Sequence, residues 1–322
     1  MDELEVVHQT RYEYAAPVST ALHLAHLEPL ADDGQALLDF ALHIDPSPDE
    51  LVIEDDVFGN ACCRFGVVAA HRALTVRAAS RVRVAARFEA LDADGSPAWE
   101  AVRDRLRYVA RAPFEPAVEF VQPSPFVPRL DALRDYAAPL LAPGRPLAAA
   151  AIELMHRVHA DFAYEGGATA VDTPLAEAFA QRRGVCQDFA HLMAGALRMH
   201  GLPARYVSGY LLTAPPAGQP ALVGADASHA WIQVWVPGTP GVPADGWLDL
   251  DPTNDLIPAA GHVRVAVGRD FGDVTPLRGV IRGGGDHALA VSVHTRRCSR
   301  LPIDAGPRVA TRAEGMQLEE GE

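Results

Sequence analysis

The stretch Arg183-Gly184-Val185-Cys186-Gln187-Asp188-Phe189-Ala190-His191 leads into a run whose apolar residues fall at Phe189, Met193, Ala196 and Leu197. That spacing is close to the i, i+4, i+7 rhythm of one buried helical face. Gly201 follows His200 where a left-handed stop is needed, and Pro203 prevents the helix from resuming. Cys186 therefore stands in the first turn of a helix, where unpaired N–H groups and the macrodipole favour negative charge. An isolated cysteine also reads as a small buried hydrophobe. The helix-start position, flanked by the polar Arg183, Gln187 and Asp188, points to a nucleophile.

Upstream of this stretch, Pro146 opens a helix with Leu147, Ala151, Leu154, Met155 and Val158 as its buried stripe. His156 and His159 on that helix form a candidate metal pair, but no third ligand is spaced to join them, so they read as a polar face. Thr173-Pro174 starts a short helix running to Gln181. Downstream, Ala204–Leu212 reads as a strand and Pro215-Pro216-Ala217-Gly218 as a surface loop. In His229–Val236 the residues His229, Trp231, Gln233 and Trp235 share one face, and a further strand places Trp247, Asp249 and Asp251 together. A helix followed by antiparallel strands is the order of a papain-like α+β core.

The N-terminal part has a different rhythm. Leu4, Val6, His8, Thr10, Tyr12 and Tyr14 share one parity, and similar alternations run through Leu38–Ile44 and Leu74–Val84, separated by turn residues. Short strands with no helix between them predict a β-sandwich. The expected organisation is a sandwich over 1–90, a helical connector over 91–145, a catalytic core with C-terminal strands over 146–300 and a disordered tail over 301–322. Gly283-Gly284-Gly285 is read as a hairpin turn, since no Gly-Lys-Ser/Thr follows it.

Composition sets the outer limits. A chain of 322 residues with net charge −14 lacks the basic stripe of a nucleic-acid surface. All 28 basic residues are arginine, so the chain carries no lysine amine. No apolar run approaches a membrane span, and the acidic Met1-Asp2-Glu3-Leu4-Glu5, with no apolar segment after it, predicts no secretory signal. The adjacent Cys62 and Cys63 and the isolated Cys298 form no disulfide framework, which suits a reducing cytoplasm. Oligomeric state is not legible.

Gly184–His191, then Gly201-Leu202-Pro203-Ala204-Arg205-Tyr206-Val207-Ser208-Gly209-Tyr210, Ser228-His229-Ala230-Trp231 and Trp247-Leu248-Asp249-Leu250-Asp251-Pro252-Thr253-Asn254 together resemble the bacterial transglutaminase-like superfamily. The N-terminal region resembles that family's N-terminal domain. The resemblance implies a papain-like, transglutaminase-like core whose catalytic positions map onto Cys186, His229 and Asp251. It selects Asp251 over its strand neighbour Asp249, because the family's acid precedes Pro-Thr. His191 is the rival base, but it lies further along the cysteine's own helix and faces another side; it and Asp188 read as packing or supporting residues.

The implied chemistry is acyl transfer from an amide through a thioester, with peptide or isopeptide hydrolysis ahead of protein-glutamine transamidation, and an interaction scaffold as the non-enzymatic alternative. The partner is a peptide or protein substrate. The Cys186 backbone N–H is one expected oxyanion donor, with Tyr164 and Gln181 as candidates for the second. The acidic clusters Asp32-Asp33, Glu54-Asp55-Asp56 and Glu319-Glu320 lack calcium-loop spacing, so neither metal nor cofactor is expected.

Overall fold

A strand of 24 residues, β1 (Asp2–Ala25), runs through most of the first half of the fold. Four more strands follow: β2 (Gln35–Asp45), β3 (Glu50–Asp55), β4 (Ala61–Val67) and β5 (His71–Val84). Residues 2–13 of β1 pair with β5, whereas residues 21–25 pair with β4. The change of partner falls near Pro17, which has no N–H to give to a ladder. The sheet order is β2-β5-β1-β4-β3. Phe40, Leu42, Leu74 and Val76 from one half and Phe65, Val67, Val18 and Ala21 from the other belong to a shared core, and the region expected to be a sandwich is one continuous sheet.

The computed structural model describes residues 1–212 and 228–298. The Pro215–Gly218 loop and the tail expected over 301–322 lie outside them. Short helices α1 (Trp99–Arg105) and α2 (Asp131–Ala137) fill the connector. Then come α3 (Leu147–Asp161), β6 (Ala163–Tyr164), α4 (Leu175–Gln181), β7 (Arg183–Gly184) and α5 (Cys186–Arg198). The core sheet consists of β8 (Ala204–Leu211), β9 (His229–Trp235), β10 (Trp247–Leu250) and β11 (His262–Gly268), in the order β10-β9-β8-β11 and antiparallel throughout. Phe189, Met193, Ala196 and Leu197 of α5 pack on this sheet with Leu154 and Met155 of α3. The architecture is α+β, a helix-on-sheet core beside an N-terminal sheet. No helix among the described residues is long and apolar enough to cross a membrane.

One expected boundary needs correction. The strands after the core, β12 (Leu277–Gly283) and β13 (His287–Arg297), do not extend the core sheet; both pair with β1, on its second and first halves respectively. The reason is geometric. Residues 2–14 of β1 have β5 on one edge and would leave the other edge open, and β13 pairs along it over eleven positions, Leu4–Tyr14. Among the contacts that tie the core to the sheet, His8 Nδ1 lies 2.9 Å from the Tyr210 hydroxyl, and Gln35 Nε2 donates to the Arg264 carbonyl at 2.7 Å.

Candidate active site

The start of α5 is fixed before its cysteine is placed. The Asp188 carboxylate reaches back to accept the Val185 N–H at 2.8 Å and the Thr169 hydroxyl at 2.6 Å, while the Asp188 N–H donates to the Val185 carbonyl at 2.9 Å. This reciprocal capping satisfies donors that a first helical turn otherwise leaves open. Gly184 is needed there, because a Cβ on it would fall 2.5 Å from that carboxylate. Cys186 then follows with its backbone N–H in the first turn and its side chain in a cleft with His229, Tyr206 and Ser208.

His229 opens β9 and is buried. Its Nε2 donates to Asp251 Oδ2 at 2.9 Å. Its Nδ1 makes no aligned hydrogen bond among the described residues, yet the Cys186 thiol is close enough to act on the ring both through its charge and as a side-chain partner. Hydrogen bonds in a cleft without substrate are often long or poorly aligned. Burial works to lower the His229 pKa, but the Asp251 carboxylate, with Cys186 adding to it, outweighs burial and raises it.

Asp251 is wholly buried and densely solvated by protein donors. Oδ1 accepts the backbone N–H groups of Thr253 (3.0 Å) and Asn254 (3.2 Å); Oδ2 accepts His229, His262 Nε2 (3.1 Å) and Asn254 Nδ2 (2.8 Å). Burial alone would raise its pKa, but His229 first and His262 second hold the carboxyl far below the ordinary range. The turn carrying these donors is braced from α3: His156 Nδ1 lies 2.5 Å from Asp255 Oδ1 and His159 Nδ1 lies 3.1 Å from the Thr253 carbonyl. The histidine pair that suggested a metal from sequence is therefore occupied in supporting the 253–255 turn.

The rival groups are engaged elsewhere. Asp249 bonds Arg87 (3.1 Å), Trp231 Nε1 (3.0 Å) and Arg264 (3.5 Å). His191 is buried, accepts the Phe271 N–H at 3.2 Å and has its pKa pushed down to about 3 by burial and by Arg198. Gln181 stays on α4, donating to Glu177 Oε1 at 2.8 Å, and does not line the cleft. Tyr164 lies closer, paired across β6–β7 with Gly184, but its side chain is part-exposed and also lies outside the cleft lining.

Three residues near the site went unmarked in the sequence. His262 precedes the run Val263, Val265 and Val267, and Asn254 closes the motif Asp251-Pro252-Thr253-Asn254, so neither stands out by itself. Tyr206 shares a strand face with Ser208 and lines the cleft; burial, followed by the charge of Cys186, raises its hydroxyl well above its usual pKa, so it remains a donor. The period-two alternation of Tyr206, Ser208 and Tyr210 was the available signal for it.

Comparison with known proteins agrees with the two-part fold. Residues 4–83 match the family described as the bacterial transglutaminase-like N-terminal region, and residues 134–252 match the transglutaminase-like superfamily. A Mycobacterium tuberculosis protein of uncharacterised function is 39% identical over 287 residues, covering 88% of this chain and 89% of the relative. A Pseudomonas aeruginosa protein-glutamine gamma-glutamyltransferase is 37% identical over 137 residues, 41% of this chain and 19% of that protein. Among solved structures, one of a candidate cysteine protease from Cytophaga hutchinsonii superposes with a TM-score of 0.68 at 20% identity, over 97% of this chain and 95% of the other.

Proposed function

Since the chain belongs to the transglutaminase-like superfamily, we propose that it is a cysteine-dependent enzyme acting on amide bonds, with Cys186 as nucleophile, His229 as acid–base and Asp251 as the group that orients the ring. The observation that carries this is a buried histidine held at Nε2 by a buried carboxylate, with a helix-start thiol beside its ring. The Cys186 thiolate adds to the amide carbonyl carbon. The C–N bond then breaks as the His229 Nδ1 proton passes to the departing amine. Water next attacks the thioester carbonyl, His229 takes its proton, and the thiolate leaves. The Cys186 N–H and the Tyr206 hydroxyl are the donors available to the oxyanion.

Hydrolysis of a peptide or isopeptide bond is the favoured outcome. The glutamyltransferase likeness supports a second reading in which an amine replaces water at the thioester. The test is alkylation by iodoacetamide at mildly acidic pH, followed residue by residue by mass spectrometry. Burial raises the thiol pKa of Cys62 and Cys298 and pushes Cys63 up to about 12, so these should react slowly. Cys186 should label first. If Cys186 labels no faster than Cys62 or Cys298, the nucleophile reading fails and the scaffold reading takes its place. With a substrate in hand, incorporation of a fluorescent primary amine separates transamidation from hydrolysis.

A further inference from the structure

The cleft holding Cys186 and His229 has a volume of about 270 Å³ and is walled on one side by the core and on the other by β1 and β13. Among the described residues, no aspartate, glutamate or arginine lines it, in a chain with 42 acidic and 28 basic residues. Thr10 pairs with Val291 and Tyr12 with Leu289, so these four side chains share one sheet face. That face starts out buried, with Leu4 and Val6 packed into the core. Beyond His8 it parts from the core, and Leu289 and Val291 are left 54% and 44% exposed at the cleft. Val171, 55% exposed, stands on the rim contributed by the core, and its carbonyl is held by Gln187, the residue next to the nucleophile.

Uncovered apolar side chains gain by leaving water, at about 25 cal/mol per Å², whereas a charged group laid on the β1–β13 wall would lose its hydration and find no ionic partner among the described residues of that wall. We propose that the β1–β13 face is the specificity wall of the cleft, taking an uncharged aliphatic or aromatic side chain of a peptide substrate next to the carbonyl that Cys186 attacks. The N-terminal sheet thereby selects the substrate. This rests on the nucleophile reading above, and the experiment separates the two.

Acetylated leucyl, phenylalanyl, glutaminyl, aspartyl and arginyl chloromethyl ketones alkylate a thiolate by forming a C–S bond and releasing chloride. The rate of modification of Cys186 is measured for each by mass spectrometry and divided by the rate with iodoacetamide, a probe too small to need the wall. Discrimination by an apolar pocket is worth roughly 10- to 200-fold, so the leucyl and phenylalanyl probes should lead the aspartyl and arginyl probes by at least about tenfold. In Leu289→Asp and Val291→Asp that lead should fall below about threefold. Both positions are half-exposed strand residues, and unchanged circular dichroism would show that each variant folds. Equal rates for charged and apolar probes, a lead for the glutaminyl probe, or an apolar lead that survives both substitutions would each overturn the proposal while leaving the nucleophile intact. Iodoacetamide labelling of Cys186 no faster than that of Cys298 would overturn both.

Discussion

Asp249 and Asp251 lie two positions apart at the end of one strand and both are buried, but their surroundings differ in kind. Asp249 is met by guanidinium groups, Arg87 from the segment after the N-terminal sheet and Arg264 from the core. Those cations keep their charge at any working pH, so this carboxylate is a static anchor between the two halves of the molecule. Asp251 is met instead by the imidazoles of His229 and His262, whose charge can change. A buried carboxylate among arginines stabilises; one among histidines can support proton movement. The same strand serves both purposes because successive same-face positions reach different neighbours.

Exchanging the two acids for amides is the sharpest way to break that comparison. Asp251→Asn should lower kcat/KM on an amide substrate by roughly 10⁴-fold, the size expected when the group orienting a catalytic imidazole is lost, and should slow Cys186 alkylation in parallel. Asp249→Asn takes one carboxylate from Arg87 and Arg264, which keep Asp245 and Asp32 as partners, and should cost about 1–3 kcal/mol of stability, read as a lower denaturation midpoint, with a far smaller change in turnover. If Asp249→Asn abolished activity in a folded protein while Asp251→Asn retained it, the roles would be reversed.

What could be read in the sequence follows the range of the interactions. The cysteine helix has a local signature in its spacing, its Gly201 stop and the Asp188 that caps it, and the structure puts its start at Cys186. His229 and Asp251 each sit inside a recognisable motif, so both could be named although their contact spans separate strands. Alternation shows which residues of a strand share a face, but not which strand will be its neighbour, because a period of two carries no partner information. Hence the last strands were assigned to the core when they close on β1. For the same reason His8, Thr10 and Tyr12 read as strand residues without chemistry, although they line the cleft.

His262 offers a smaller test of how the histidine-bound carboxylate works. Its Nε2 gives Oδ2 of Asp251 a second imidazole donor beside His229. A hydrogen bond to a charged group contributes about 1.5–3 kcal/mol, so His262→Phe should lower kcat by roughly tenfold or more. It should also shift the pH profile of Cys186 alkylation, because the Asp251–His229 pair loses one of its donors. His262→Gln, which can still donate, should recover part of both effects. A loss of stability with an unmoved pH profile would reduce His262 to packing.

An effect on stability alone belongs to the junction between the halves. His8, buried against Tyr210, has its pKa lowered to about 4 by burial. The unfolded value is about 6.5, so the folded protein binds this proton less readily than the unfolded chain. Its contribution is complete above pH 6.5 and declines as the pH falls towards 4, by about 2 kcal/mol at pH 5. The melting temperature should therefore drop between pH 7 and pH 5, and His8→Gln, which has no proton to gain, should flatten that decline even if its stability at pH 7 is lower. An equally steep decline in the variant would mean that other buried histidines, His191 and His23 among them, carry the acid sensitivity, and that the junction tolerates a charged His8.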